Sequence, residues 1–455
     1  MEDPLMRVTW LKRDLRTIDL IALGYSDVSS TYYFLLGIVA LYSGQSLAIT
    51  MILGSLSMWI AGLAYAEFGS AIPRTGGAYY YVRRELGDLM GFLAGWLLSL
   101  DQILMIAYGA LGAVNYLGGL IPPLSTWPVN SLAAMAIIAA LMTINILGIK
   151  TSARFNLALL TIDLLGIFTL LTIGYATLLP RGSPVVLGMH VSINDVIRGL
   201  AYSIRGYIGI DVIAQSTGEA LTPFVSVPRA IISVSSLSTA VALALSLLAL
   251  LTNSVTIISS SINDPIGALA RHLIRNAALS TYVAISVAIV LLIAVNAGIV
   301  DFSRSMYVMG EDGLLPRVLG KVHGRYRTPY IAIVISSVIA MLFVVPGSVE
   351  LIAGSYGIAS IIVYLMTMVS LARFRNAERE LVSYFRTPEV ALGGVKVPIV
   401  SLVGSIFYTT ALLFIALVKP EYLAVVTTWV LIGLVIHMTS RFSLRNLRRS
   451  PSRQQ

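Results

Sequence analysis

Four aspartates lie inside stretches that are otherwise almost wholly apolar: Asp27, Asp101, Asp163 and Asp211. A charged side chain at the centre of a membrane span costs about 2.5–3.5 kcal/mol on insertion scales. A chain that keeps four has a use for them, and the chemistry open to such carboxylates is to hold a cation or carry a proton. Two of the four sit in glycine-bearing interruptions. Asp27 lies in Gly24-Tyr25-Ser26-Asp27-Val28-Ser29-Ser30, and Asp211 in Gly206-Tyr207-Ile208-Gly209-Ile210-Asp211. A broken helix bares carbonyl and N–H groups at mid-membrane, which is tolerable only around a cavity. The expected substrate site is therefore Gly24, Tyr25, Ser26, Asp27, Ser29, Ser30, Tyr207, Gly209 and Asp211. Asp163 and Asp101 are the expected carriers of a coupling ion or proton.

Other residues extend this reading or limit it. Arg205, just before the second interruption, is expected to pair with one of the acids, to act as a gate, or to bind a substrate carboxylate. Tyr108 and Tyr356 join Tyr25 and Tyr207 as candidate cavity walls. Gly354 and Gly357 would let their helix approach closely. Enzyme chemistry finds no anchor: cysteine is absent, and His190, His272, His323 and His437 are scattered. Neither HExxH nor GxSxG occurs. No cofactor and no clustered metal site is expected.

The elements that must position these residues follow from composition. Of 455 residues, 57% are hydrophobic and 12% charged, and the mean hydropathy is +0.85. A soluble domain carries about 25% charged residues. The apolar runs suit helices crossing hydrocarbon, and no period-two alternation suggests a barrel. The charged segment Met1–Arg16 lacks the cleavage site of a signal peptide. The expectation is an all-α integral membrane protein with twelve spans at about 18–42, 47–68, 89–117, 131–149, 154–178, 195–219, 229–252, 279–303, 329–346, 350–371, 398–417 and 421–440.

Charge sets the orientation. Of 31 Lys and Arg residues, Arg181, Arg271, Arg275 and Lys419 fall on one side of these spans, and Arg198 and Arg205 fall within the sixth. The remaining 25 fall on the other side. The positive-inside rule then puts both termini in the cytoplasm of a multi-pass protein of the cell membrane. The net charge of +9 is thereby assigned to topology and lipid rather than to nucleic acid. The basic tail 441–455 either rests on anionic headgroups or simply fixes topology.

The first five spans (18–178) and the next five (195–371) each open with an interrupted run. Five is odd, so the second set enters from the opposite face. This is a 5+5 inverted repeat with helices 1 and 6 broken; 398–440 adds two further helices and 1–17 precedes the first.

Several segments resemble the amino acid–polyamine–organocation superfamily of permeases. They are Tyr65-Ala66-Glu67 with Pro73-Arg74-Thr75-Gly76-Gly77-Ala78-Tyr79; Gly91-Phe92-Leu93-Ala94-Gly95-Trp96; Glu219 to Ile231 with its Pro223 and Pro228-Arg229; and Ser303-Arg304 to Asp312-Gly313-Leu314-Leu315-Pro316. The resemblance covers essentially the whole chain. It implies secondary active transport of an amino acid or related amine-bearing solute by alternating access, coupled to protons or sodium, with the site between helices 1 and 6. Glu67 is expected to brace a cytoplasmic loop, and Pro73–Gly77 to form a turn.

The chain also departs from that pattern. Amino-acid members carry small residues in the first break, where free N–H groups hold a carboxylate. Asp27 would repel a carboxylate and attract an ammonium or a metal cation. With Ser29, Ser30 and Thr31 it is similar to potassium-uptake branches, so a potassium permease with a monovalent cation at Asp27, Asp101 and Asp211 is the alternative. In span five, Asp163 stands near the lysine of some proton-coupled members and cannot act as that lysine does. The oligomeric state is not legible.

Overall fold

Apolar runs become helices in a bilayer because each backbone donor then finds its acceptor inside the segment. The computed structural model describes residues 13–147, 153–178, 191–326, 328–347, 349–377, 383–418 and 420–449. Its helices, in order, are α1 (Thr17–Ser43), α2 (Leu47–Ala71), α3 (Gly77–Leu86), α4 (Asp88–Gly118), α5 (Val129–Ile146), α6 (Ala153–Ala176), α7 (Ile193–Ser203) and α8 (Asp211–Gln215). They continue with α9 (Pro223–Leu251), α10 (Val255–Ser260), α11 (Pro265–Leu273), α12 (Ala277–Glu311), α13 (Tyr330–Val344), α14 (Val349–Ala377), α15 (Ile399–Val418) and α16 (Pro420–Arg449).

Nine apolar helical stretches among the described residues are long enough to cross a bilayer, and the first runs through α1 and α2 together. α13 is a shorter apolar helix. The chain is a multi-pass, predominantly helical membrane protein.

The α4 helix is the most enclosed, with 83% of its apolar window buried. It packs along α12, where Gly298 brings its backbone against Ile106 and the Gln102 carbonyl. Small residues at such crossings let two backbones approach in a bilayer, where packing drives association. The α16 helix docks on α4 through two tryptophans. Trp96 Nε1 donates to the Trp429 carbonyl at 2.7 Å, Trp429 Nε1 donates to the Trp96 carbonyl at 2.8 Å, and the rings stack at 4.8 Å. His437 stacks on Phe92 at 4.3 Å one face further along.

One expectation needs correction. Helix 1 is not broken: α1 runs continuously through Gly24 and Asp27. The hydroxyls of Ser29, Ser30 and Thr31 donate back to the carbonyls of Ser26 and Asp27 at 3.4, 2.7 and 3.2 Å, within the helix. Gly24 serves packing, because a Cβ there would lie 2.5 Å from Ile213. A lone glycine costs a helix only about 1 kcal/mol, which tertiary packing outweighs. The sixth run is interrupted as expected. α7 ends at Ser203, a 3-10 turn covers Arg205–Tyr207, Ile208 is extended, Gly209 has φ +122°, and α8 begins at Asp211.

The all-α fold carries one small exception. Glu389–Leu392 and Val395–Pro398 form an antiparallel hairpin in register Leu392↔Val395. Val390, Leu392, Val395 and Val397 alternate around Gly393-Gly394, whose positive φ angles of +57° and +87° suit a two-residue turn. That period-two pattern is short enough to escape notice between long apolar runs.

Glu67 is a brace. Fully buried at the end of α2, it accepts from Arg375 of α14 and from the backbone N–H and hydroxyl of Thr387 at 2.9 and 2.6 Å. Arg375 also donates to Glu389 of the hairpin at 2.6 Å. Gly76 and Gly77, at φ +119° and +48°, make the turn that leads into α3. Arg181, His190 and Lys419, and parts of both termini, lie outside the described residues.

Candidate functional site

The interruption before α8 places Gly209 against the side of α1. A Cβ on Gly209 would sit 2.7 Å from Asp27 Oδ2, and the backbone adopts a φ that L side chains rarely take. Glycine is therefore required for the break to close on Asp27. From Asp27 a cleft runs to the face of the bundle that carries the chain's N-terminal segment. It encloses roughly 830 Å³, its open mouth included.

Three walls form the cleft. α1 contributes Asp19, Ala22, Leu23, Ser26 and Asp27, a single helical stripe. The segment after the break contributes Val212, Ser216 and Glu219, and α12 contributes Ile293 to Arg304 on one face. At the mouth, Arg304 pairs with Glu219 at 3.0 Å. There the N-terminal segment adds Leu15, which makes a parallel bridge to Ala220. Ser26 Oγ and Asp27 Oδ1 are buried with no hydrogen-bond partner among the described residues. Unsatisfied buried polar atoms are rare and call for an occupant.

On the far side of Asp27 the bundle is shut. Phe34 meets Tyr108 edge-on at 5.3 Å, and Tyr108 lies 6.3 Å from Tyr356. Beyond them α10 and α11 press on α1, with Ile258, Ile262 and Pro265 against Gly37.

The expected site residues do not all converge. Asp211 sits behind the cleft, accepting from Gln215 at 2.9 Å and from the Tyr364 hydroxyl at 3.2 Å. Gln102 of α4 donates to Gln215 at 3.2 Å, so the polar network runs across α4, α8 and α14. Asp101 accepts from Ser360 of α14 and does not line the cleft. Asp163 lies away on α6, where Tyr33 donates to it at 3.1 Å. Tyr25 is 3.1 Å from the Tyr33 hydroxyl and 3.2 Å from that of Tyr32, so it belongs to this phenol cluster and not to the cleft wall. Tyr207 packs on Tyr32 at 5.8 Å. Arg205 lies outside the cleft, its guanidinium over the rings of Tyr202 at 5.1 Å and Tyr422 at 5.0 Å, with Gly357 leaving it room. Among the described residues no group of three acidic, His or Cys side chains could hold a metal ion. The hydroxyls of Ser29 and Ser30 point to helix carbonyls.

Asp301, Asp19 and Asn296 are cleft residues that sequence reasoning passed over. The signal for Asp301 was present: it is a fifth acid inside an apolar run, in Asn296-Ala297-Gly298-Ile299-Val300-Asp301.

A helical bundle that crosses the membrane repeatedly, with one interrupted helix closing on a carboxylate at the end of a one-sided cleft, is the architecture of a solute permease. The chain belongs to the amino acid permease family, whose model matches residues 15–440, and so to the amino acid–polyamine–organocation superfamily. It is similar to a branched-chain amino acid permease of Bacillus subtilis, at 24% identity over 94% of this chain and 92% of the relative. It is 28% identical to a methylthioribose transporter of the same organism, over 86% of each chain. It is also 28% identical to mouse cationic amino acid transporter 4, over 81% of this chain and 61% of that one. These relatives are permeases and transporters, and the protein is an amino acid permease-type transporter, not an enzyme.

Proposed function

We propose that the protein is a secondary active transporter that moves an amino acid or related amine-bearing solute across the cytoplasmic membrane, driven by protons (or sodium), by alternating access. The observation that carries this reading is the cleft ending on Asp27 from one face while aromatic rings and α10–α11 close the other. With the termini in the cytoplasm, as the loop charges favour, this is a state open to the cytoplasm. Rocking of one repeat-derived bundle would open the opposite path. Asp27 holds the ammonium group, with Ser26 beside it and the Gly209 break as the back wall. The network of Asp211, Gln215, Gln102 and Tyr364 fixes that break in place.

Asp163 is the coupling residue of this reading. It is fully buried, and among the described residues its Oδ1 has no partner. Its other oxygen joins the phenols of Tyr33, Tyr25 and Tyr32, which reach from α6 to the Tyr207 ring at the break. The names of two relatives, a branched-chain amino acid permease and a cationic amino acid transporter, support an amino acid as solute. Potassium uptake is not favoured, because the family and the relatives are permeases of amino acids and related solutes. The test is uptake of labelled amino acids and amines into proteoliposomes under an imposed proton or sodium gradient. Accumulation that depends on the gradient and on Asp27 is expected, and no uptake of any of them defeats the reading.

A further inference from the structure

The acids of the cleft do not end at Asp27. On α12 the lining residues Asn296, Ala297, Val300, Asp301 and Arg304 recur at helical spacing, so one face of that helix is turned to the cleft. Asp301 lies one turn from Arg304, on the side away from the mouth. It is 9% exposed, and the charge that acts on it most is that of Arg304. Arg304 also makes an ion pair with Glu219 at 3.0 Å. Asp27 Oδ1 and Ser26 Oγ, on the facing wall of α1, are buried and without partners among the described residues. Four carboxylates (Asp19, Asp27, Glu219 and Asp301) thus face a single guanidinium across a low-dielectric cleft. Such a lining concentrates cations.

We propose that Asp301 is a specificity-determining residue of the cleft. It meets a second positive centre on the solute while Asp27 meets the first, so the solutes preferred are those with two cationic groups, such as a diamine or a basic amino acid. The proposal rests on the reading of Asp27 above, and extends it to a residue on the opposite wall. Arg304, paired with Glu219 at the mouth, is drawn on by both acids, and a cationic centre of the solute adds to it at Asp301.

The test is binding of matched pairs to the purified full-length protein in detergent, by calorimetry: pentane-1,5-diamine against pentylamine, and lysine against norleucine. The wild-type protein is expected to prefer the dication of each pair by about tenfold or more, the factor of one charge-assisted contact. Asp301→Asn collapses that ratio to about one, and Asp301→Glu restores it. A wild-type ratio near one, or a ratio that survives Asp301→Asn, overturns the proposal, and the wild-type ratio alone decides if the Asn variant does not fold. Asp27→Asn separates the two readings. If it abolishes binding while the wild-type ratio is near one, only the role of Asp301 falls. If it leaves every affinity intact, both fall.

Discussion

Replacing Gly209 with alanine tests the geometry of the site most directly. At φ +122° the added Cβ is strained whatever the space, and such conformations cost about 1–3 kcal/mol. The Cβ would also meet Asp27 Oδ2 at 2.7 Å and Asp27 Cγ at 2.8 Å, closer than real contacts allow, so the carboxylate must turn away. A hydrogen bond to a charged group is worth about 1.5–3 kcal/mol, so losing its alignment weakens solute binding roughly 10- to 150-fold. Gly209→Ala should therefore lower the melting temperature and raise KM for uptake in proteoliposomes by that factor. The two effects separate in an Asp27→Ala background, where the clash with the carboxylate is gone and the backbone strain remains with a 3.2 Å contact to the residue 27 backbone. The melting-temperature losses should then add to less than the sum of the single variants, because the residues touch. Wild-type transport by Gly209→Ala, or strict additivity with Asp27→Ala, refutes the contact.

Four further outcomes are expected. Glu67→Gln breaks a buried ion pair that also orders Thr387, and should destabilise the protein by about 3–5 kcal/mol in thermal unfolding. Asp264, the cap of α11 between spans, is pushed up to about 6 by burial, against the pull of Arg271 at 2.6 Å. The folded state thus holds this proton more tightly than the unfolded chain, and the group's stabilisation, up to about 3 kcal/mol, is present below pH 4 and lost as pH rises through 6. Melting curves of Asp264→Asn between pH 4 and 7 should lack that slope, and parallel curves would rule the effect out. Asp163→Asn should still exchange solute across the bilayer but fail to accumulate it against a gradient, a split read by comparing counterflow with driven uptake. Trp429→Ala removes a stacked ring and the hydrogen bond its indole donates to the Trp96 carbonyl, leaving the 429 carbonyl in place, and should lower the melting temperature through loosening of α16 on α4.

Composition and run length by themselves determined that this chain lives in a bilayer as helices, because an apolar segment has no other way to satisfy its backbone there. The break at Gly206–Asp211 was also legible, since two glycines and an acid in one apolar run are a local conflict that only an interruption resolves. The matching break in α1 was not real, because Ser29, Ser30 and Thr31 can bond to carbonyls within their own helix and Gly24 can pack on Ile213. The sequence pattern of the two is alike, and only contact with neighbouring helices tells a kink from a straight pass. Which acids meet was likewise a matter of packing. Asp27 and Asp301, 274 positions apart by their numbers, share one cleft, while Asp101, Asp163 and Asp211 each turn to a hydroxyl or amide partner on the other helices or their own. A carboxylate's burial is written in its own segment, but its partners are set by helix rotation and crossing, which single runs of apolar residues do not encode.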